Sequence, residues 1–448
     1  MSQLSKRTVY TATFEAEKYW QSNQTANIPF IKSSSSELIT SVMDELQVVF
    51  CENKNDVLIT RLPIQQCLKE YLHDIGFEFE NNDFPITDTI NEGINDNDNE
   101  LIINSKNQFI KDIFSNNDIL LSPYAVLPGI EKICNRFSIA NSFPDQEVIK
   151  KVNSKAYSFS FNEIIIPFYE GKFILDTKQL LQDGEKYLAK SPFLIKEEFG
   201  VSGKGNMLIN SRGLLNRAIK YLEKEEKLGK KVRLILEPFY EKDYDFCSQF
   251  EIYTDGTFKL HSVNKLINSI FSYSGSKVAE SKFYDELDKK KYFEVCHRLM
   301  NKLYDDGYYG HVCIDSMMLK NGDIFPVVEI NARKSMSLIN NQIDRYVRRF
   351  DGQSNLNRFS LSIPKDMTYE NIFDKLKKEN ILFSKENPTG LLPITSNTLD
   401  INRLFLSTED KMYTGLLYAS VVGKENETQS ILNNFKNILD SLSIQHNI

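Results

Sequence analysis

The chain has 448 residues, of which 41% are hydrophobic and 12% aromatic, and its formal net charge is -7. This length suggests about two to four units, and the composition is sufficient for packed cores. The acidic balance excludes a broad basic surface of the kind that binds a nucleic-acid backbone, and no apolar run approaches the length of a membrane span. The first residues lack the apolar segment and cleavage site of a signal peptide, so we expect a cytoplasmic protein. From the charge and the hydropathy we expect no nucleic-acid partner and no membrane partner.

The six cysteines are scattered along the chain and form no CxxC pair. This spacing is unlike a disulfide framework and unlike a cysteine-bound structural zinc site. We therefore expect reduced thiols, most of them buried in the core.

The first part of the chain is typical of an α/β unit. Residues 56–62 predict a strand, residues 63–75 a helix and residues 77–80 a second strand. Residues 81–107 are rich in Asn, Asp and Glu, which predicts an irregular segment. A buried strand, a Pro/Gly turn and a helix follow, and the unit is expected to end near residue 143.

The pattern changes from residue 144 onwards. The strands SPFLIKEEF and MLIN flank a Gly-rich loop, and a helix capped by Ser211 leads to the strand VRLILEPFY. Next come a hairpin at Asp255–Gly256, a helix over 283–305, and the strands GHVCIDSMML and IFPVVEINAR. The last hundred residues predict further strands, RLFLST among them, and a terminal helix.

The Gly-rich loop runs from Gly200 to Gly205, and its glycines would allow backbone N–H groups to approach a phosphate. A Walker loop and a dinucleotide fingerprint both require a helix next, whereas Gly205 is followed by a strand. The loop is therefore either an ordinary hairpin connection or a loop that covers the phosphates of a nucleotide.

Lys196 favours the second interpretation, because a lysine inside an apolar strand needs an anionic partner such as phosphate. The alternative for Lys196 is a solvated position on an edge strand.

A row of polar side chains follows the strand FPVV. Glu329, Asn331 and Arg333 alternate with apolar residues, so an extended chain places them on one face. Asp315 lies on the preceding strand, and two carboxylates with an amide oxygen suit Mg²⁺. Two unrelated surface acids are the alternative.

The connection between these two strands decides whether the carboxylates can share an ion. A strict two-residue turn at Asn321–Gly322 would pair Asp315 with Val328 and leave Glu329 on the other face. A shared metal therefore requires a three-residue loop or a bulge.

The order of these parts resembles the ATP-grasp superfamily of carboxylate ligases over about residues 145 to 350. The segments VNSKAYSF, KEEFGVSGKGN, GYYGHVCID and VVEINARKSMS are most similar to the ATP-grasp peptide ligases of natural-product pathways. The resemblance implies an ATP-grasp fold, in which two α+β lobes hold ATP between them. We accordingly expect an α/β pre-ATP-grasp domain over 1–143, lobes over 144–236 and 237–350, and a C-terminal α+β segment over 351–448 that packs on the core.

The resemblance also implies which residues bind the nucleotide. Lys155 and Lys196 would face the α- and β-phosphates, Glu237 the adenine, and Asp245 the ribose, with Asp243 as the competing acid. The full set implied for the nucleotide is Lys155, Lys196, Gly200, Ser202, Gly203, Lys204, Gly205, Glu237, Pro238, Phe239 and Asp245.

The metal ligands implied by the resemblance are Asp315, Glu329 and Asn331, holding Mg²⁺, with Mn²⁺ as the alternative ion. The implied catalytic residues are Lys196 and Arg333, and Arg333 would steady the transferred phosphoryl group. Many members carry an arginine just before the strand aspartate, where this chain has His311 and Cys313. His311 has no role in the expected mechanism.

The activity implied by the resemblance is ATP-dependent joining of a carboxylate to an amine through an acylphosphate, with ADP and phosphate released. The partners would be a small-molecule or peptide carboxylate and an amine, and a homodimer is a candidate assembly. Two alternatives stay open: another ATP-grasp reaction, such as a thioester-forming ligase or a phosphotransferase, and a non-catalytic ATP-binding regulator.

Overall fold

The computed structural model describes residues 7–29, 33–87, 96–115, 118–200, 205–269 and 272–448. Within these ranges the strands form three sheets. None of the helices described there combines the length and the apolarity that a membrane span requires.

The first sheet is parallel and has the strand order β3-β2-β1-β4. Its strands are β1 (Arg7–Thr11), β2 (Val57–Leu58), β3 (Glu80–Asn81) and β4 (Ile119–Pro123). Parallel strands need long crossovers, which helices supply here. The crossover helices are α1 (Glu17–Trp20), α2 (Ser34–Ser41), α3 (Gln66–Ile75), α4 (Asp98–Asn104) and α5 (Gln108–Phe114), with a 3-10 helix over Met43–Phe50. After β4 follow α6 (Ile130–Arg136) and α7 (Gln146–Val152). The predicted α/β unit is confirmed.

The prediction of an irregular segment over 81–107 is wrong in part, because α4 lies within it. Asn97 caps this helix and Glu100 completes a capping box, while Leu101 and Ile102 are buried. The spacing of Asn97, Glu100 and the apolar pair was a readable helix signal. Residues 88–95 lie outside the described ranges.

The second sheet is antiparallel, with the order β5-β8-β6-β7. Its strands are β5 (Lys172–Ile174), β6 (Phe193–Glu197), β7 (Asn206–Ile209) and β8 (Leu234–Pro238), and its helices are α8 (Lys155–Ile165), α9 (Thr177–Leu188) and α10 (Arg212–Lys227). Ser211 caps α10 as predicted. The apolar sides of α9 and α10 pack on this sheet in a core of their own.

The third sheet has nine strands in the order β13-β12-β9-β10-β11-β14-β16-β15, with β17 beside β14. They are β9 (Lys242–Ile252), β10 (Phe258–Ser269), β11 (Ser272–Val278), β12 (Gly310–Leu319), β13 (Ile324–Asn331), β14 (Ser354–Pro364), β15 (Gly390–Pro393), β16 (Met412–Val422) and β17 (Gln445–His446). The accompanying helices are α11 (Ser281–Lys289), α12 (Tyr292–Asp305), α13 (Met336–Val347), α14 (Tyr369–Lys378), α15 (Asn397–Asp400) and α16 (Glu425–Ser441), with short 3-10 helices over Arg348–Phe350 and Ile401–Phe405.

Two predictions for this region are wrong. The expected helix over 283–305 is two helices, because Lys291 adopts a left-handed conformation with φ of 60° between them. The segment RLFLST lies in the 3-10 helix and the irregular residues after it rather than in a strand, and its Leu404 is exposed. The strands from β14 onwards continue the sheet of β9 to β13, whereas the division of the chain into four segments stays a prediction.

Candidate functional site

The hairpin of β12 and β13 aligns the two carboxylates. Asp315 pairs directly with Glu329, and the register shifts between Asp315 and Met317. The N–H of Leu319 donates to the carbonyl of Asp323, which leaves a three-residue loop, and Pro326 has no N–H to contribute at the irregular stretch of β13. The prediction required a three-residue loop or a bulge, and the structure contains both, so the prediction that the carboxylates share a face is confirmed.

The ionised form of the carboxylate pair is destabilised by burial and by the repulsion between the two charges. Burial and the neighbouring charge of Glu329 raise the pKa of Asp315 to about 7, against the opposing influence of Arg333. Asn331 Nδ2 donates to Asp315 Oδ2 over 3.0 Å. Two facing carboxylates repel each other unless a cation or a proton lies between them, so this donor set fits a hard divalent ion.

Lys155 links the carboxylate pair to the Gly-rich loop. It is the first residue of α8, and its side chain is buried. Its Nζ donates to Glu329 Oε1 over 2.8 Å and to the carbonyl of Gly200 over 2.9 Å. One ammonium group therefore connects the start of the loop with β13.

Lys196 is buried within the antiparallel sheet, which excludes the alternative of a solvated lysine on an edge strand. Its Nζ forms an ion pair with Glu237, which lies diagonally across from it on β8. Tyr169 donates from its hydroxyl to Glu237 Oε1 over 2.6 Å. The expected anionic partner exists, and in this structure it is a carboxylate.

The predicted adenine contacts lie at the end of β8. The N–H of Phe239 donates to the carbonyl of Pro192 over 2.9 Å, so this donor is already engaged within the protein. Pro238 borders a cleft of about 360 Å³ whose other lining residues are Phe168, Glu170, Tyr240, Leu319, Asn321 and Asp323. Adenine binding by Glu237, Pro238 and Phe239 stays a prediction.

Two acids compete for the predicted ribose contact. Asp245 pairs with Met317 across the sheet, and its carboxylate contributes to the raised pKa of Asp315. Its Oδ2 accepts from Lys242 Nζ over 2.5 Å. Asp243 is exposed at the start of β9. Asp245 is thus the acid whose charge reaches the carboxylate pair, and its contact with ribose stays a prediction.

The Gly-rich loop is described only at its ends, because Ser202, Gly203 and Lys204 lie outside the described ranges. Gly200 accepts from Lys155, and the carbonyl of Gly205 accepts from the N–H of Glu197 over 2.7 Å. The cover of phosphates by this loop stays a prediction.

Gly205→Ala is expected to destabilise the protein by about 1–2 kcal/mol. Gly205 has φ of +82°, a left-handed conformation that disfavours a residue with a Cβ. An added Cβ would lie 2.9 Å from Glu197 Oε2, and this carboxylate has little room to move away because Glu197 is buried. Urea denaturation measures the change in the free energy of unfolding. Gly213→Ala is the matched control, since no atom lies within 4 Å of its added Cβ; equal losses in both variants would contradict the argument.

Arg333 is buried and uses all five of its N–H groups within the protein. Nε and Nη2 donate to Glu17 Oε1 over 3.0 and 2.6 Å, and Nη2 also donates to Asn331 Oδ1 over 2.9 Å. Nη1 donates to the hydroxyl of Tyr124 and to the carbonyl of Lys334. A contact with a phosphoryl group would require the exchange of one of these bonds, so that role stays a prediction.

Glu17 and Tyr124 were missed by the sequence analysis. They lie 316 and 209 residues before Arg333, and neither belongs to a motif. A contact between such distant positions leaves no pattern in a single sequence.

The comparisons with known proteins concern the fold of the chain and part of its sequence. No protein-family profile matches the chain. The "[Butirosin acyl-carrier protein]--L-glutamate ligase" of Niallia circulans is 25% identical over 196 residues, which cover 42% of this chain and 45% of that ligase. The chain therefore spans less than half the length of this relative.

Solved structures match nearly the whole chain. A biotin carboxylase from Campylobacter jejuni has a TM-score of 0.57 and 11% identity, covering 98% of this chain and 92% of the enzyme. The ADP complex of an N5-carboxyaminoimidazole ribonucleotide synthetase has a TM-score of 0.52 and 11% identity, covering 98% of both chains. Both have the ATP-grasp fold. The chain therefore has the ATP-grasp fold, as the order of its motifs predicts.

Proposed function

We propose that the chain is an ATP-dependent carboxylate–amine ligase. It activates a carboxylate as an acylphosphate, joins it to an amine and releases ADP and phosphate. A role in small-peptide or natural-product biosynthesis is part of the proposal, and the ligase from Niallia circulans supports it.

One observation carries the proposal: Asp315 and Glu329 face each other in an ATP-grasp fold, with the buried Lys155 bonded to Glu329. Asp315, Glu329 and Asn331 would hold Mg²⁺, or Mn²⁺ in its place. The ion supplies charge neutralisation for the phosphates of ATP. Lys155 and Lys196 would offset the remaining phosphate charge, because both ammonium groups are buried beside the carboxylates that orient them.

The chemistry balances without a further cofactor. A carboxylate oxygen of the acid attacks the γ-phosphorus of ATP, and ADP leaves. The amine then attacks the acyl carbon, loses a proton, and phosphate leaves with the oxygen that began on the acid. The protein positions these groups and stabilises charge, which is sufficient for phosphoryl transfer.

The test uses the full chain with ATP, Mg²⁺ and a panel of carboxylic acids and amines. L-glutamate and an acyl-carrier protein belong in the panel because the name of the Niallia circulans ligase includes them. We expect ATP consumption only with a matching pair, and one ¹⁸O atom transferred from the labelled carboxylate into phosphate.

The products separate the proposal from its rivals. AMP and pyrophosphate as stoichiometric products would contradict the acylphosphate. A thiol that replaces the amine would indicate a thioester-forming ligase, and a stable phosphorylated product would indicate a phosphotransferase. Tight ATP binding without turnover across the panel would favour a regulator. The cytoplasmic location and the homodimer stay predictions.

A further inference from the structure

A cluster of one glutamate and two histidines lies on the nine-stranded sheet. Glu251 of β9 pairs directly with His311 of β12, and His261 of β10 lies on the other side of Glu251. His261 Nε2 is 2.9 Å from Glu251 Oε2. One ligand atom from each of the three residues lies within 4.8 Å of the other two. Three adjacent strands thus bring a carboxylate and two imidazoles together.

An irregularity in β10 presents His261 to this cluster. Leu260 pairs with Phe250 and Ser262 with Gln249, so His261 is an extra residue relative to β9. A bulge of this kind redirects the side chain of the inserted residue. The contact between His261 and Glu251 therefore depends on a specific feature of the backbone.

His311 is left with an unsatisfied nitrogen. Its Nδ1 is buried and has no hydrogen-bond partner among the residues that the structure describes. Burial lowers the pKa of His311 to about 4, so the imidazole is neutral at pH 7 and keeps a free lone pair. A buried polar nitrogen without a partner costs free energy unless a ligand completes it.

The surrounding charges permit a cation. Among the described residues, Lys259 and Lys334 are lysines whose charges reach the cluster. Lys334 Nζ donates to Ser122 Oγ over 2.9 Å, and burial lowers the pKa of Lys334 to about 7. Because part of the Lys334 population is then neutral at pH 7, its electrostatic repulsion of a bound cation is weakened. The side chains of Glu251 and His261 keep 28% and 14% of their exposure, so an ion has a route from solvent.

We propose that Glu251, His261 and His311 form a binding site for a divalent transition-metal ion, with Zn²⁺ as the preferred ion. Two histidine nitrogens and one carboxylate oxygen are a donor set that zinc adopts, with water as the fourth ligand. Asp315 lies four positions after His311 on β12, which corresponds to about 13 Å along a strand, too far for one ion to contact both. The site is thus separate from the carboxylate pair and independent of the proposed ligase activity.

The test is a titration of the metal-free full chain with Zn²⁺ alone, in competition with a chromophoric chelator. We expect one equivalent to bind at this cluster, apart from any that the carboxylate pair takes up, and we expect His261→Gln and Glu251→Gln each to weaken the binding of that equivalent by about tenfold or more. Both positions are partly exposed, so these variants should fold even if His311→Gln does not. Zn²⁺ should raise the Tm of the wild type and not that of Glu251→Gln.

The matched control is His297→Gln, which removes an exposed histidine of α12. It should leave the Zn²⁺ affinity unchanged, and an equal loss in this variant would overturn the proposal. Cys247, Cys313 and Asp315 are a second group of potential ligands. If Cys247→Ser abolished binding while His261→Gln retained it, or if Co²⁺ gave a thiolate charge-transfer band, the proposed site would be wrong. Failure of the wild type to bind Zn²⁺ would also overturn it.

Discussion

Asp315→Asn is expected to lower kcat by about 10³-fold or more while the unliganded protein becomes as stable as the wild type or more stable. The loss of activity follows from removal of one of the two facing carboxylates that would hold the metal ion. The stability effect has a separate origin, because the ionised Asp315 carboxylate is opposed by burial and by Glu329. Loss of that charge relieves both penalties.

The pH dependence gives the sign of the stability effect. The folded pKa of Asp315, about 7, lies above its ordinary value of 3.8. The stability that the protonated group contributes is therefore fully present below about pH 4 and is lost as pH rises through about 7. Without divalent ions, the variant should gain Tm relative to the wild type by about 1–4 °C at pH 8 and show no gain at pH 4.

Glu329→Gln is the matched variant, with the same loss of activity and the opposite effect on stability. Glu329 carries the ion pair with Lys155, whose side chain is only 6% exposed. Removal of the carboxylate leaves that buried ammonium with the carbonyl of Gly200, which should cost about 1–3 kcal/mol. Denaturation at pH 8 and initial rates at saturating ATP measure both effects. Wild-type turnover in either variant would place the metal elsewhere, and a parallel loss of stability in both would contradict the electrostatic argument.

The residues that were predictable from the sequence are those whose chemistry follows from local geometry. The two-residue period of a strand was enough to place Glu329 and Asn331 on one face, and the position of Lys196 in an apolar strand indicated an anionic partner. The hairpin register required a loop or bulge, and the structure contains both. These inferences needed only neighbouring residues.

The failures have physical reasons of their own. The strand β14 was missed because Ser and Asn occupy many of its positions, although its side chains alternate between buried and partly exposed. RLFLST has the composition of a buried strand, yet its apolar side chains are largely exposed. Glu251, His261 and His311 come together only through strand pairing and a bulge, so no spacing in the sequence connects them.

Arg333→Lys and Glu17→Gln are expected to lower kcat and the free energy of unfolding together, with the double variant little worse than either single one. Arg333 makes five hydrogen bonds, which connect the first residue of α1, the end of β13, the residue after β4 and the carbonyl of Lys334. A lysine has three donors and lacks the planar fork, so it cannot replace this set. We expect a loss of about 10²-fold in kcat for Arg333→Lys, because Asn331 and the carboxylate pair would lose their fixed orientation.

The double-mutant cycle distinguishes this positioning role from the predicted contact with the phosphoryl group. If Arg333 acts through Glu17, the two substitutions share one interaction, and a coupling free energy of about 1 kcal/mol or more should appear in both kcat and unfolding. If Arg333 instead binds the transferred phosphoryl group, Arg333→Lys should reduce kcat with Glu17→Gln near wild type, and the effects should add. The buried Glu17 forms an ion pair with the Arg333 guanidinium. Glu17→Gln preserves the shape of the Glu17 side chain while it removes the charge that holds Arg333 in place.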